Sequence, residues 1–330
     1  MATIRDVAKE AGVSVATVSR VLNNKGYVTK ETEKRVELAI EKLKYKPNAI
    51  ARSLSIRKSN IIALVVPAIN NPFFPEIAKA VEDVAQAKGY KVFLCNTDDR
   101  RDRLIEYLHS LRDNFVDGII INSENLTEAD LEDLKQQDIP VITIDRVLSN
   151  QAFSSISVKN RYGGQLATNH LIQVGCQRIG HLSGPENVVT AKDRFWGYRD
   201  QLKNFDWFDQ SWIVKVDFSI EGGYHGMKEL FQRHPDIDGV FAANDLIAAG
   251  ALKAAFEWGR KVPDDLAIVG FDGIDITELT IPRITTIQQP IYEIGKLAME
   301  EVLRFINNSK ATAKNYELDV KLIQRESTMR

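Results

Sequence analysis

Where short apolar runs of this 330-residue chain end, the same residue types keep returning. Asn70-Asn71-Pro72-Phe73-Phe74 follows one run, Asp145-Arg146 another, and Asn244-Asp245 and Gly270-Phe271-Asp272-Gly273 two more. Phe218 ends a further run, Thr190 and Arg194 open a helical stretch, and Gln288-Gln289-Pro290 marks a crossover. Amides, carboxylates and a guanidinium bind hydroxyls in paired hydrogen bonds, and aromatic faces cover the C–H surface of a sugar ring. The set points to a small polyhydroxyl ligand. Taken singly, each position also has a plainer reading: Phe73 or Phe218 as core, Asp145-Arg146 as an ion pair closing two lobes, Asp272 as a turn residue. Recurrence at six strand ends is what carries the sugar reading.

Catalysis has no comparable support. No G-x-G-x-x-G follows a strand, no Ser/His/Asp set recurs, and Gly222-Gly223 with Gly226 is too weak a phosphate loop. The five histidines show no ligand spacing, so neither enzyme activity nor a metal or other cofactor is expected.

Strand ends converge only if a scaffold brings them together. Strands are expected at 61–66, 91–96, 118–122 and 141–145, with helices at 74–88, 101–114 and 126–137 between them. A second series follows: helices at 162–174, 191–204, 222–232 and 246–258, and strands at 178–182, 212–218, 239–243 and 267–270. A final helix, 291–306, and a strand, 316–322, are expected to return to the first lobe. Alternation of this kind predicts an α/β body of two doubly wound lobes, with parallel sheets covered on both faces and the ligand between them.

The first 60 residues read differently. Thr3 and Asp6 suit a helix start, Ile4, Val7, Ala8 and Ala11 form one apolar stripe, and Gly12 suits the end. Ser14 opens a second helix that buries Val18, Val21 and Leu22, giving a helix-turn-helix in an all-α headpiece. The opposite face carries Val15, Ala16, Ser19 and Arg20: small side chains that let a helix sink into a groove, and a guanidinium able to bridge guanine O6 and N7. A third helix, from about Lys30 to Lys44, buries Val36, Ala39, Ile40 and Leu43. Residues 1–60 hold 13 Lys and Arg against 6 Asp and Glu, the rest of the chain 30 against 39. A basic segment on an acidic body is the footprint of phosphate contact.

The stretches T-I-R-D-V-A-K-E-A-G-V-S-V-A-T-V-S-R-V-L-N and Y-K-P-N-A-I-A-R-S-L resemble the DNA-binding headpiece of the LacI/GalR family of transcriptional regulators, and the resemblance runs through the whole chain. It implies that Val15, Ala16 and Arg20 read bases in the major groove, and Thr3 and Thr17 join that DNA-facing set. Asn23, Tyr45 and Asn48 would contact phosphates. Residues 48–56 match the hinge helix that pairs with its dimer mate in the minor groove, and Leu54 the leucine wedged into the central base step. The body resembles periplasmic sugar-binding proteins. N-N-P-F-F, I-D-R, A-K-D-R, D-F, A-N-D, G-F-D-G and I-Q-Q carry over a pocket of Asn71, Phe73, Phe74, Asp145, Arg146, Arg194, Phe218, Asn244, Asp272 and Gln289. T-A-K-D-R-F and F-S-I are similar to the ribose-responsive branch, whereas Val188 stands where the purine-responsive branch has an arginine.

The resulting expectation is a repressor with a helix-turn-helix headpiece at 1–46, a hinge helix and linker at 47–60, and an effector-binding and dimerisation domain at 61–330. Its N-lobe takes about 61–160 and 291–322, and its C-lobe about 161–290. Expected partners are a palindromic operator, a sugar effector (D-ribose first) and a second copy of the chain. Without an evident leucine heptad after residue 310, a dimer is expected rather than a tetramer. The alternatives are another sugar, a sugar phosphate or a phosphorylated carrier protein as the signal, and, further off, a plain sugar-binding protein. Neither a signal peptide nor an apolar run of membrane-spanning length is visible. Cys95 and Cys176 each sit in an apolar stretch and read as reduced core residues. The cytoplasm is the expected compartment.

Overall fold

A computed structural model describes residues 2–23, 26–45, 59–113, 116–146, 153–308 and 310–330. The chain divides into two compact units, Met1–Ser59 and Asn60–Arg330.

In the first unit, α1 (Ile4–Ala11), α2 (Val15–Asn23) and α3 (Lys30–Lys42) enclose a core of Val7, Ala8, Ala11, Val18, Val36 and Ala39. Thr3 and Asp6 form a reciprocal capping box on α1. Gly12, at φ +64°, ends α1 in the left-handed conformation that a side chain would disfavour. The tight turn then lets Ser14 accept from the Thr17 N–H and start α2.

The second unit alternates strands and helices: β1 (Ile61–Val66), α4 (Phe73–Ala87), β2 (Lys91–Asn96), α5 (Arg101–Asp113), β3 (Gly118–Ile121), α6 (Glu128–Gln136), β4 (Val141–Ile144) and β5 (Ser154–Val158). The series continues with α7 (Asn160–Gln173), β6 (Ile179–Ser183), α8 (Val189–Leu202), β7 (Ile213–Lys215), α9 (Ile220–Arg233), β8 (Gly239–Ala242), α10 (Asp245–Glu257) and β9 (Ala267–Asp272). It ends with α11 (Ile276–Leu279), β10 (Thr285–Gln288), α12 (Ile291–Asn307), β11 (Asn315–Leu318) and β12 (Lys321–Ile323). One sheet has the order β11-β5-β4-β3-β1-β2 and the other β12-β10-β9-β8-β6-β7. All pairings are parallel except β10 with β12. Each sheet reverses its strand order after its first strand, which opens a crevice at the carboxyl ends of the strands.

The chain passes between the lobes three times, after β5, after β10 and after β11. The last passage corrects an expectation. The strand expected over 316–322 is two strands: β11 joins the first sheet, and β12 pairs antiparallel with β10 in the second. Strands β5 (SSISV) and β10 (TTIQ) are not among the expected strands, because their hydroxyl-rich composition hides the apolar pattern. Their hydroxyls are buried but satisfied: Ser154 donates to Glu301 at 2.6 Å and Thr286 to Asp245 at 2.6 Å. The strand expected over 212–218 shrinks to β7, because a 3-10 turn at Gln210–Trp212, capped by Asp209, takes its start. Cys95 and Cys176 are buried free thiols, and burial pushes both up to about 12.

Candidate functional site

Helix α2 turns Val18 inward and leaves Val15, Ala16 and Arg20 exposed, so the expected reading face is a solvent face. Val15 is 41% exposed and lies outside the headpiece core. Thr17 is half-buried and its hydroxyl lies 2.9 Å from that of Ser14, so it belongs to the start of α2 as much as to the face. Thr3 is exposed at the start of α1, and its hydroxyl donates to Asp6 at 2.8 Å. Tyr45 packs partly buried against the headpiece core, with its backbone N–H on Ile40. The Asn23 side chain, Asn48, Leu54 and the hinge helix lie outside the described residues.

In the second unit a cleft of about 260 Å³ lies at the carboxyl ends of the strands, large enough for one small ring. The N-lobe contributes Pro67, Ala68, Asn70, Asn71, Phe73 and Phe74 after β1, Asp99 after β2, Asn122 and Glu124 after β3, and Asp145 after β4. The C-lobe contributes Pro185 and Val188 after β6, Thr190 and Arg194 from α8, Asp217 and Phe218 after β7, Asn244, Asp272 and, after β10, Gln289. Ten of the eleven expected ligand residues are thus brought together.

Each is fixed from behind. The Asn71 carboxamide oxygen accepts from the Phe73 N–H at 3.1 Å, and the Phe73 and Phe74 rings meet edge to face at 5.1 Å. Phe218 lies over Gly184, where a Cβ would stand 2.4 Å from the ring, so the platform needs a glycine beneath it. Asn244 caps α10 by accepting from Ile247 at 2.8 Å. Arg194, 4% exposed, donates to Asn160 at 2.9 Å and to the Ala243 carbonyl at 2.7 Å, and pairs with Asp272 at 3.3 Å. Its guanidinium lies 3.7 Å over the Phe271 ring. Helix α8 can hold it there because Gly164 of α7 lets the helices touch: a Cβ would stand 2.3 Å from the Arg194 carbonyl.

The cleft stores strain and unspent hydrogen-bonding capacity. Asp145 (φ +61°) and Asp272 (φ +114°) both occupy left-handed backbone that a side chain disfavours, and both line the same cleft. The Asp145 Oδ1 and Gln289 Oε1 atoms are buried without a partner. Asp145 Oδ2 accepts from Asn122 at 3.2 Å, and Gln289 donates to Asp272 at 2.8 Å. Burial raises Asp145 to about 7, against the pull of Arg194, and Asp272 to about 6. Asp245 behind them is also raised by burial, while accepting from Thr286 and from the Gly273 and Ile274 N–H groups. Orphaned acceptors beside aromatic rings suit a neutral ligand rich in hydroxyl donors.

Arg146 is the exception. Its guanidinium donates to the carbonyls of Ser123 and Glu124, and it lies on an adjoining opening that shares Asp145 with the cleft. Asp99, Asn122, Glu124 and Asp217 line the cleft without being among the expected ligand residues. Asn122 closes its expected strand, and Asp217 precedes Phe218 in the quoted D-F pair, so position offered a signal for these two. Asp99 and Glu124 sit in polar loops and offered none. Among the described residues no group of His, Cys, Asp and Glu is arranged to hold a metal ion, and no helix is long and apolar enough to cross a membrane.

Comparison with known proteins agrees with both units. Residues 3–48 match the model of bacterial regulatory proteins of the lacI family, and residues 59–326 that of periplasmic binding proteins and the sugar-binding domain of the LacI family. A ribose operon repressor of Halalkalibacterium halodurans is 44% identical over 328 residues, 99% of this chain and 97% of the relative. The lac repressor dimer bound to operator is 28% identical, with a TM-score of 0.86 over 100% of this chain and 99% of that one. A LacI-family regulator of Enterococcus faecium with bound ribose is 32% identical, with a TM-score of 0.74 over 81% of this chain and 98% of that one. With a helix-turn-helix whose reading face is exposed, and a two-lobed body with a sugar-sized cleft, the chain belongs to the LacI family of DNA-binding transcriptional regulators.

Proposed function

We propose that this regulator represses an operon for ribose uptake or use, and that D-ribose is the inducer that releases it. The observation that carries the effector reading is the pair of buried acceptors without partners, Asp145 Oδ1 and Gln289 Oε1, in a cleft floored by Phe73, Phe74 and Phe218. A pentose brings hydroxyl donors for those atoms and C–H faces for the rings. The ribose operon repressor of H. halodurans and the ribose-bound E. faecium regulator support this choice of sugar.

Residues 1–46 would read DNA, with Val15, Ala16 and Arg20 on base edges and Thr3, Thr17, Asn23, Tyr45 and Asn48 on the flanks. Residues 47–60 would form the hinge, with Leu54 as the wedge, and 61–330 would bind sugar and pair with a second copy. A homodimer presents two reading helices to a palindromic operator. The compartment is the cytoplasm, where operator DNA lies. Sugar closes the lobes and separates the paired hinges, and Arg146 turns from Glu124 towards the sugar.

Fluorescence anisotropy on a labelled palindromic operator, titrated with D-ribose, other sugars and ribose 5-phosphate, tests this reading. Release by ribose alone is the expected result. Tight operator binding indifferent to ribose, but answering a sugar phosphate or a phosphorylated carrier protein, would replace the effector and keep the repressor.

A further inference from the structure

The N-terminal end of α8 faces the cleft through Val188 and Thr190, and no side chain of its own caps it. First-turn N–H groups have no acceptors within their helix, and the positive end of the helix dipole adds to them, so such an end takes up anions. Two cations stand nearby. Arg146 lies 3.8 Å from the Glu124 carboxylate, and Lys192, in the first turn of α8, acts on the same group. Together these make an anion-binding corner, and the protein has put its own anion in it. Glu124, from the loop after β3 in the opposite lobe, lines the cleft with its side chain only 14% exposed.

A second observation shows that the cleft these groups line is built for a ligand. Gln289, 3% exposed, leaves its Oε1 atom buried without a partner in the same lining, as Asp145 does its Oδ1. A ligand seated on those acceptors shares the cleft with Glu124.

We propose that Glu124 is an effector-specificity residue: its carboxylate occupies the anion-binding corner between the start of α8 and Arg146, and so bars a phosphorylated sugar while the neutral sugar enters. This inference rests on the reading of the cleft as a sugar site. Burial raises the proton affinity of Glu124, and Asp99 adds to it, while the Val189 backbone, Arg146 and Lys192 lower it, as expected of a carboxylate with cationic groups on one side. Replacing Glu124 with a neutral side chain removes the carboxylate beside Arg146 and leaves a corner with the charge and donors a phosphate needs.

The test uses the full-length protein, wild type and the variants Glu124→Gln and Glu124→Ala, with operator binding as the check that each is folded. Calorimetry gives the affinities for D-ribose and ribose 5-phosphate, and thermal melts are run with and without inorganic phosphate. The expected result is a shift of about tenfold or more in the ratio of the two affinities towards the phosphate ester in both variants, the size of one charge-assisted contact. Inorganic phosphate should raise the melting midpoint of the variants and leave that of the wild type unchanged. An unchanged ratio, or protection of the wild type by phosphate, overturns the role of Glu124. If the wild type binds no ribose, the ribose reading fails, and the phosphate melts still decide whether the corner is an anion site that Glu124 fills.

Discussion

At the scale of single residues, the centre of the cleft is an arginine surrounded by carboxylates. Arg194 is buried among Asp145, Asp245 and Asp272, and its own proton affinity is lowered by that burial and only partly restored by those acids. Removing one partner of a buried ion pair leaves uncompensated charge, so Arg194→Met should lower stability by about 3 kcal/mol in urea unfolding and abolish sugar binding. The acids themselves predict a proton linkage. Asp145 at about 7 and Asp272 at about 6 lie above their ordinary 3.8. Between those values the folded form holds protons that the unfolded chain has released. Their contribution to stability is therefore fully present at low pH and is lost as pH rises through the folded values. Sugar hydroxyls donate to the ionised carboxylates, so binding should expel protons, and affinity should rise from about pH 5 to about 7.5 and then level. Calorimetry in buffers of different ionisation enthalpy checks this; proton uptake on binding would mean that the acids bind sugar in their neutral form.

At the scale of elements, loops and helix starts place the reading groups. The β6–α8 connection passes under Phe218, and Gly184→Ala would put a methyl 2.4 Å from that ring. The variant should weaken ribose binding by about tenfold, as one lost aromatic platform would, while operator affinity without sugar stays unchanged. Titration of both ligands separates the two effects. In the headpiece, the Arg20 side chain projects from the exposed face of α2. Arg20→Ala should cost about 1–3 kcal/mol on operator and little on random DNA, measured by anisotropy at fixed salt. Equal losses on both would make Arg20 a phosphate contact.

At the scale of the whole molecule, three chain crossings tie the lobes together, and closure about a sugar would hinge on them. A ten- to hundredfold release from operator needs about 1.4–2.8 kcal/mol of coupling, and operator must then weaken sugar binding by the same factor. Measuring ribose affinity with and without operator tests that reciprocity. The last ten residues also belong to the second lobe. Ser327 donates to the Ile268 carbonyl and accepts from the Thr285 N–H, and the Thr328 hydroxyl lies 2.8 Å from both His170 and Thr285. Deleting 321–330 strips these buried groups of partners, at about 1–3 kcal/mol each. Thermal melts should show a large loss of stability that saturating sugar does not restore.

Much of this protein is determined by local sequence. A capping box, a 3.6-residue apolar stripe and a turn glycine suffice for α1 and α2, because each depends on neighbours three or four residues away. Parallel strands buried on both faces, such as Gly118–Ile121, are continuous apolar runs, so their ends, and most of the cleft residues attached to them, are legible too. Tertiary structure decided the rest. It split 315–323 between two sheets, a choice made by strand partners more than thirty residues away in sequence. It drew polar β5 and β10 into the sheets by giving their hydroxyls buried partners. It turned Arg146 from the cleft towards the Ser123 and Glu124 carbonyls, and brought Glu124 from a plain polar loop into the cleft lining beside Arg146. Position along the chain says that a charged side chain follows a strand; only the packed lobes say which charge it meets.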